Sequence, residues 1–434
     1  MRIVIAILIF SIIIIFHEFG HLLLAKKNGI KVVEFSVGLG PTIVGKEIKG
    51  TKYSLKLLPF GGACQMLGED FDDGTPEAGS FYAASVWQRM SVILAGPFFN
   101  FLLAFVFALV ITGSVGFDAP LVTGVAKNSA AEAAGLRAGD EIVSINGSRT
   151  FIGRQIDSFF LYNELDGSAL NVKYKRDGIT GTTSITPVKT KRYLLGFTYT
   201  ADTTKAEIKE VSEGYPIAAA GIEKGDVILK IDGNEIATGA ELSAYMNAHP
   251  LSDESVLMTY ERNGETFETT VTPKLASDSF STGMSYNLYR ERTGVIGVIK
   301  YSFIEVGYWI DTTIKNLGML IRGKLTKDDI GGAIAIVDMI GDSYEETKQT
   351  GSALDVVLQM LYISILLSAN LGVMNLLPIP ALDGGKFLLL IVEAVMRKPL
   401  NRKVEAIVNL AGFVLLMLLM VFVLFNDVRR IFFK

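Results

Sequence analysis

Long hydrophobic segments dominate the pattern of apolar and polar positions along the chain. Four of them reach the ~20 residues that a helix needs to cross a bilayer. They cover about 3–25, 91–113, 353–375 and 405–426 of the 434 residues, and the third is the least apolar. The pattern predicts a multi-pass α-helical membrane protein with four transmembrane helices.

The more polar stretch between the second and third segments contains an internal repeat. "AGLRAGDEIVSING" at 134–147 aligns with "AGIEKGDVILKIDG" at 220–233, at an offset of 86 residues. Each copy has a Gly-Asp turn, an alternating strand and then an Asn-Gly or Asp-Gly turn. An offset this long predicts two small globular domains in tandem rather than a solenoid.

Two other stretches have recognisable patterns. "TKYSLKLLPFGGACQM" at 51–66 alternates like a strand pair and contains Gly61 and Gly62. It is predicted to form a β-loop associated with the membrane, where covered irregular backbone is tolerated. Residues 303–323 have a helical pattern with aromatic side chains. This helix is expected either on the membrane surface or in the protein core.

Composition narrows the class of protein. Half of the residues are hydrophobic and the mean hydropathy is +0.38, as is typical of a membrane protein. A net charge of −4 gives no indication of nucleic-acid binding. The single cysteine, Cys64, excludes an internal disulfide framework and a cysteine-rich zinc site.

Lysine and arginine predict the orientation in the membrane. They are concentrated in 26–90 and 376–404, which lie on the same side of a four-span protein and are therefore expected in the cytoplasm. The insert of about 114–350 is then extracytoplasmic, although the tail "VRRIFFK" places three positive charges on that side. The first span also begins like a signal peptide, but no convincing small-residue cleavage site follows it.

The first span contains "HEFGH" at residues 17–21. Strongly polar side chains at membrane depth are costly, so three of them together need compensation. On a helix, His17 and His21 project from one face about one turn apart, which suits two ligands of a tetrahedral zinc. Glu18 is then placed to act as general base, the H-E-x-x-H arrangement of zinc hydrolases. The alternative is a buried polar cluster that holds helices together.

A catalytic zinc usually has a third protein ligand and an open position for water. The third histidine, His249, lies in the second repeat copy, outside the membrane, so a carboxylate is the better candidate. "NLLPIPALDGG" at 375–385 follows the third span and has little tendency to form secondary structure. Asp383 is therefore the predicted third ligand; the alternative is an Asp-Gly turn at a helix start.

These motifs together carry a family resemblance. H-E-F-G-H plus N-x-x-P-x-P-x-L-D-G resembles the site-2 proteases, the intramembrane zinc metalloproteases, and in particular their bacterial RseP type. The repeated core, and "YLLGFTY" at 193–199, resemble PDZ domains of the permuted bacterial type. The resemblance covers essentially the whole chain. It implies four transmembrane helices, a membrane-associated β-loop and two tandem extracytoplasmic PDZ-like α/β domains.

The resemblance also implies roles for individual residues. His17, His21 and Asp383 would bind Zn²⁺, and Glu18 would activate water. "GPFFN" in the second span matches a family motif of structural weight, in Gly96, Pro97 and Asn100. Ala63, Cys64, Ala333 and Ala335 depart from the family pattern and leave substrate preference and local geometry open. The residues expected to hold the substrate are Asn370, Asn375, Pro378, Pro380, Gly61 and Gly62.

The predicted layout follows from these assignments. The transmembrane helices are expected at 1–25, 91–113, 351–375 and 405–427, the PDZ-like domains at 118–192 and 193–292, an amphipathic connecting region at 293–350, and the cytoplasmic segments at 26–90, with the β-loop, and 376–404, with the L-D-G motif.

The predicted function is zinc-dependent cleavage within the transmembrane segments of single-span proteins in the inner membrane of a bacterium. Expected substrates are an anti-sigma factor already trimmed by an upstream site-1 protease, and remnant signal peptides. The PDZ-like pair either recognises a new C-terminus or acts as a steric gate. Two alternatives remain. A non-enzymatic PDZ scaffold explains the repeat but not HEFGH. A metalloprotease working outside the bilayer, anchored by its first span, does not explain the Asp383 motif.

Overall fold

The computed structural model describes residues 2–69, 77–200, 203–324 and 331–432. The predicted segments 26–90, 193–292 and 293–350 include residues 70–76, 201–202 and 325–330, which lie outside the described residues. The chain divides into two compact units, one formed by 1–119 with 289–434 and the other by 120–288.

The first unit is mainly helical. Its helices are α1 (Arg2–Lys27), α2 (Val86–Val115), α7 (Val295–Ile321), α8 (Ala333–Thr350), α9 (Ala353–Asn375), α10 (Asp383–Met396) and α11 (Arg402–Phe432), and its strands are β1 (Val32–Ile48), β2 (Thr51–Met66), β3 (Phe117–Asp118) and β18 (Arg290–Glu291).

The second unit contains short helices and many strands. Its helices are α3 (Ala130–Ala133), α4 (Arg154–Tyr162), α5 (Pro216–Ala219) and α6 (Gly239–Ala248), and its strands are β4 (Val122–Val125), β5 (Glu141–Ile145), β6 (Ser148–Arg149), β7 (Leu170–Arg176), β8 (Ile179–Ile185), β9 (Val188–Leu194), β10 (Phe197–Tyr199), β11 (Ile208–Val211), β12 (Val227–Ile231), β13 (Asn234–Glu235), β14 (Val256–Arg262), β15 (Glu265–Val271), β16 (Lys274–Ser281) and β17 (Met284–Tyr286).

Four helices among the described residues are long and apolar enough to cross a membrane, as predicted: α1, α2, α9 and residues 402–429 of α11. The second helix is longer than its hydrophobic run because Ser85 and Gln88 form a capping box at its start. A second capping box, Ser352 with Asp355, starts α9. Local sequence therefore fixes where these two helices begin.

The helices α1, α2 and α9 pack closely because small residues lie between them. A Cβ on Gly20 of α1 would lie 2.4 Å from the carbonyl oxygen of Ala95 on α2, so only glycine fits. A Cβ on Gly372 of α9 would lie 2.7 Å from the ring of Phe101 on α2. Residues predicted as a surface or core helix form α7, which packs against α2 and α9 through Val306.

The sequence "GGAIAI" at 331–336 contains the start of α8. The amide N–H of Gly332 donates to Asp427 of α11 at 2.9 Å, and that of Ile334 donates to the same carboxylate at 3.1 Å. A carboxylate from a distant helix thus caps the positive end of α8. Gly332 has no room for a side chain, since its Cβ would lie 2.5 Å from Val423.

Residues 51–66, predicted to be a strand pair, instead form the strand β2, whose partner is β1. The end of β1 runs antiparallel to the first half of β2, whereas the start of β1 runs parallel to that half and antiparallel to the second half. Because both strands bend back, Val37 is paired with Leu55 on one side and with Gly62 on the other. The start of β1 therefore lies between the two halves of β2. Residues 62–66 form an outer edge, with β1 as their only strand partner among the described residues.

The second unit confirms the sequence repeat. The two copies contain four-stranded sheets of equivalent order, β6-β5-β7-β8 and β13-β12-β14-β15. An equivalent ion pair closes each copy: Arg176 donates to both oxygens of Asp140, and Arg262 to both oxygens of Asp226. Both members of the pair recur at the repeat offset of 86 residues.

A strand from the far end of the unit completes the first copy. The strand β17 pairs with β4, and Met284 and Tyr286 pack against the core of the first copy. The equivalent pair in the second copy is β10 with β11. The strand that closes the first copy therefore lies within the predicted segment 193–292, and the two copies are interleaved along the chain.

A tyrosine links a strand to a helix at equivalent places in the two copies. Tyr199 on β10 shares a hydrogen bond with Ser243 on α6 at 3.0 Å, and Tyr286 on β17 donates to Asp157 on α4 at 2.5 Å. A peptide strand that added between this strand and this helix would have to displace the bond.

The ion pairs of the repeat make its stability depend on pH. Burial raises the pKa of the Asp140 and Asp226 carboxyls, but the guanidinium groups and a backbone N–H more than offset this effect. Both pKa values in the folded chain therefore lie below the ordinary value. Such a group stabilises the fold above its unfolded-state pKa of about 3.9, and this contribution is lost as the pH falls through the folded-state pKa.

We predict that Asp226→Asn lowers the stability of 120–288 by about 1.5–3 kcal/mol at neutral pH, because it removes the buried carboxylate that accepts two charged hydrogen bonds from Arg262. The variant should also lose less stability than the parent on acidification below about pH 4. Hydrogen–deuterium exchange of the full-length protein measures both effects, with Lys230→Met at the exposed Lys230–Glu235 pair as control. Parental exchange in the Asp226 variant would contradict the prediction.

Candidate metal centre

The structure brings three predicted ligands together in the first unit. His17 and His21 lie one turn apart on α1, and Asp383 is the first residue of α10. The Nε2 atoms of the histidines are 3.2 Å apart. Asp383 Oδ2 lies 3.2 Å from His17 Nε2 and 3.5 Å from His21 Nε2. The three ligand atoms lie within 4.8 Å of one another, a spacing that suits a single metal ion.

The three converging polar atoms are better suited to binding a metal than to hydrogen-bonding one another. Asp383 Oδ2 is buried and has no hydrogen-bond partner in the described part of the chain, although two ring nitrogens are close. A buried carboxylate oxygen without a partner is costly. A divalent cation among these atoms removes that cost and uses a lone pair from each. The donor set, two imidazoles and one carboxylate, is typical of catalytic zinc.

The ring of His21 is oriented from behind by the second helix. Its Nδ1 lies 2.8 Å from the carbonyl oxygen of Val92. Since a carbonyl only accepts, Nδ1 must carry the hydrogen and Nε2 is left with a free lone pair. This is the tautomer that a metal ligand needs.

Asn100 of α2 orients the ring of His17 in the same way. Its side-chain amide lies against His17 Nδ1 at 3.2 Å, and its Oδ1 is buried with no hydrogen-bond partner among the residues that the structure describes. Turning the amide by half a turn lets Oδ1 accept the Nδ1–H of His17, and both groups are then satisfied. We assign this orientation, which leaves Nε2 of His17 available to the metal. The backbone oxygen of Asn100 is itself held by Ser368 Oγ at 2.7 Å.

Glycine in α2 provides the space for the two rings. A Cβ on Gly96 would lie 2.4 Å from Nε2 of His21 and 2.7 Å from Cε1 of His17. Any larger residue would push at least one ring out of place. Gly96 and Asn100 therefore explain two of the residues in the "GPFFN" motif of the second span.

A tight turn delivers Asp383 to the site. Ala381 has a φ of +74°, which is strained for a residue with a side chain. Gly384 and Gly385 follow, and a Cβ on either would lie within 2.4 Å of a carbonyl oxygen in residues 376–379. The "ALDGG" sequence therefore lets the start of α10 fold back against the preceding turn.

A cavity of about 390 Å³ surrounds the three ligands. Glu18, the predicted base, lines this cavity but is not one of the converging ligands. Asn375 and Gly62 line it as well. The other lining residues are Ile14, Ala63, Cys64, Met66, Glu69, Ile93, Leu371, Ala381, Leu382 and Lys386.

Four predicted substrate-binding residues are not among those that line the cavity: Gly61, Asn370, Pro378 and Pro380. Asn370 instead accepts a hydrogen bond from Thr313 of α7. Gly61 precedes Gly62 with a φ of +87°. Their part in substrate binding stays a prediction.

Two charged residues of the cavity, Glu69 and Lys386, were not anticipated from the sequence. Lys386 follows Asp383 by three residues on a helix, so its position on the same face was a signal that the sequence contained. Glu69 lies 52 residues from His17 in a loop, and no local pattern marks it.

Two histidines and a carboxylate, converging beside a glutamate within a bundle of membrane-spanning helices, define a membrane-embedded metallohydrolase. Comparison with known proteins agrees. Residues 5–419 match the family model of peptidase family M50. The chain therefore belongs to peptidase family M50, the site-2 proteases.

Similar proteins share this length and class. The zinc metalloprotease RasP of Geobacillus kaustophilus is 30% identical over 98% of this chain and 97% of that protein. The regulator of sigma E protease of Haemophilus influenzae is 30% identical over 97% of each chain. The regulator of sigma-W protease RasP of Bacillus subtilis is 28% identical over 98% of each chain.

The predicted enzyme class and cofactor are thus confirmed: the chain is an intramembrane zinc metalloprotease. A purely non-enzymatic scaffold is inconsistent with this family.

We predict that Asn100→Leu weakens zinc binding by about 10- to 100-fold, because His17 loses the partner that fixes its tautomer. Zinc affinity is measured by competition with a chelator on the detergent-purified protein. Ser91→Ala, at a polar residue of α2 that does not line the cavity, is the control. Unchanged affinity in the Asn100 variant would contradict the assigned role.

Proposed function

We propose that this chain cleaves peptide bonds within the transmembrane segments of single-span membrane proteins. His17, His21 and Asp383 hold Zn²⁺, and Glu18 is the general base. The convergence of the three ligand atoms within 4.8 Å, in a unit with four candidate membrane spans, carries the proposal.

The chemistry follows from the residues of the cavity. Zn²⁺ bound there supplies Lewis-acid polarisation of the scissile carbonyl and a lowered pKa for water. Glu18 accepts a proton from the attacking water and then delivers it to the leaving amine. Since Glu18 precedes His21 by three residues on the same helix, the packing that fixes the ligands also fixes the base.

The substrate is bound as an extended strand. A helical segment satisfies its own peptide groups and must unwind before a bond is exposed to attack. The edge formed by 62–66 lines the cavity, and a Cβ on Gly62 would lie only 3.3 Å from Cγ of Glu18. A substrate strand that pairs with this edge comes to lie beside the base. Asn375, on another wall, bonds its remaining peptide groups.

The class of substrate is supported by the similar proteins. Two of them are named as regulators of sigma E and sigma-W, which fits an anti-sigma factor as substrate. In this proposal an upstream site-1 protease trims that factor first, and remnant signal peptides are further substrates. The enzyme lies in the inner membrane of a bacterium, with 26–90 and 376–404 in the cytoplasm. The two interleaved copies in 120–288 form an extracytoplasmic PDZ-like pair.

We predict that Glu18→Gln lowers the rate of cleavage by at least about 10²-fold, because the amide cannot accept the proton. Zinc content should stay at the parental level, since Glu18 is not among the converging ligands. The measurement is cleavage of a single-span substrate in proteoliposomes, with zinc analysis of the same sample. His17→Ala serves as the comparison that loses both zinc and activity. Parental cleavage by the glutamine variant would exclude the proposed mechanism.

A further inference from the structure

Lys386 and Glu69 form an ion pair in the catalytic cavity that the proposed chemistry does not use. Lys386 Nζ lies 2.7 Å from Glu69 Oε1, and the side chains are 32% and 22% exposed. Both residues line the cavity that surrounds the three metal ligands. A pair so far withdrawn from solvent is screened less than a surface pair and holds its two partners more firmly.

The pair joins two different walls of the cavity. Lys386 lies on α10, three residues after Asp383, so it projects from the face that carries the metal ligand. Glu69 lies three residues beyond Met66, where β2 ends. The ion pair therefore connects the helix that positions the metal to the strand edge 62–66.

The strand edge needs such a connection. The pairing of the edge with the start of β1 is short and contains a bulge between Val32 and Glu34, and the edge begins at Gly62, directly after Gly61. Glycine-rich, irregular strands specify their register weakly. A fixed point at the end of β2 holds the edge at one position along its length relative to Asp383.

We propose that the Lys386–Glu69 ion pair sets the register of the substrate strand relative to the metal, and thereby selects which peptide bond is cut. Both are positioning residues: they act through the strand edge rather than on the reacting atoms. The inference rests on the proposed function, in which the substrate pairs with residues 62–66.

The proposal makes a specific statement about where cleavage moves. The side chains of a strand alternate between two faces, so a slip of one residue presents the wrong face to the cavity. A slip of two residues preserves both the faces and the hydrogen-bonding pattern. When the edge is released, new cut sites should therefore lie two residues from the original one.

The test is mass-spectrometric mapping of the products from one single-span substrate. Lys386→Met and Glu69→Gln each remove the ion pair, and so does the double variant that combines them. Lys386→Arg keeps the ion pair. Lys31→Met is the control, because the Lys31–Glu77 pair lies in the same unit but is 61% and 69% exposed and does not line the cavity.

We expect the ratio of shifted to original product to rise about tenfold in either single variant, which corresponds to about 1.4 kcal/mol of positional preference. The double variant should match the single ones, and Lys386→Arg and Lys31→Met should retain the parental cut. If Lys386→Met is inactive, Glu69→Gln decides, because it leaves α10 unchanged.

Products cut only at the parental bond in the Lys386 and Glu69 variants would overturn the inference, whatever their rate. The inference would also be overturned if the ratio of shifted to original product in the double variant rose by the combined effect of the two single variants. Neither result touches the proposed function, which fails instead if Glu18→Gln still cleaves at the parental rate.

Discussion

Two imidazole nitrogens and a carboxylate oxygen, all aimed at one point within a helical membrane bundle, repel one another unless a cation lies between them. Their spacing is 3.2 to 3.5 Å, and the buried Oδ2 of Asp383 has no hydrogen-bond partner within the described ranges. This is the constraint on which the arrangement of the first unit depends. The packing of the neighbouring helices holds these three groups in place. Gly20 lets α1 approach α2, and Gly96 leaves space for both rings. The carbonyl of Val92 and the amide of Asn100 then fix the tautomers.

Asp383, the proposed third ligand, comes from the other end of the chain, so the candidate site forms only when the bundle is assembled. Asp383 depends on the strained backbone at Ala381 and on two glycines that let a turn lie against the start of α10. Such strain is tolerated where the surrounding structure holds it in place. The three side chains therefore come together only in the assembled bundle, and a metal bound to them would stabilise the folded state.

The convergence of side chains at the candidate site could largely be predicted from the sequence because its signals are local. Polar residues at helical spacing in an apolar run identify His17, Glu18 and His21. Asp383 stands out because an L-D-G turn follows a membrane span. Lys386 and Glu69 escaped prediction because their pairing joins a helix to a loop 317 residues away. Asn370, which was expected to bind the substrate, does not line the cavity and accepts a hydrogen bond from Thr313 of α7 instead.

The fold was predictable to a similar depth. Hydrophobicity identified four spans. The starts of α2 and α9 depend instead on capping by Ser85 and Ser352, two polar residues that a search for apolar runs does not include. The internal repeat predicted two domains that follow one another along the chain. The interleaving was missed, although "FSTGMSY" at 280–286 aligns with "YLLGFTY" at 193–199 through a glycine and a tyrosine. Strand exchange between copies is a matter of tertiary pairing, and a repeat read in chain order does not show it.

A single zinc ion held by His17, His21 and Asp383 can be detected by X-ray absorption spectroscopy at the zinc edge of the purified full-length protein. We expect two nitrogen ligands at about 2.0–2.1 Å, with oxygen completing the shell. Cys64 lines the same cavity, so a sulfur ligand is a real alternative. A scattering distance of about 2.3 Å, characteristic of zinc–sulfur bonds, would exclude this set of ligands.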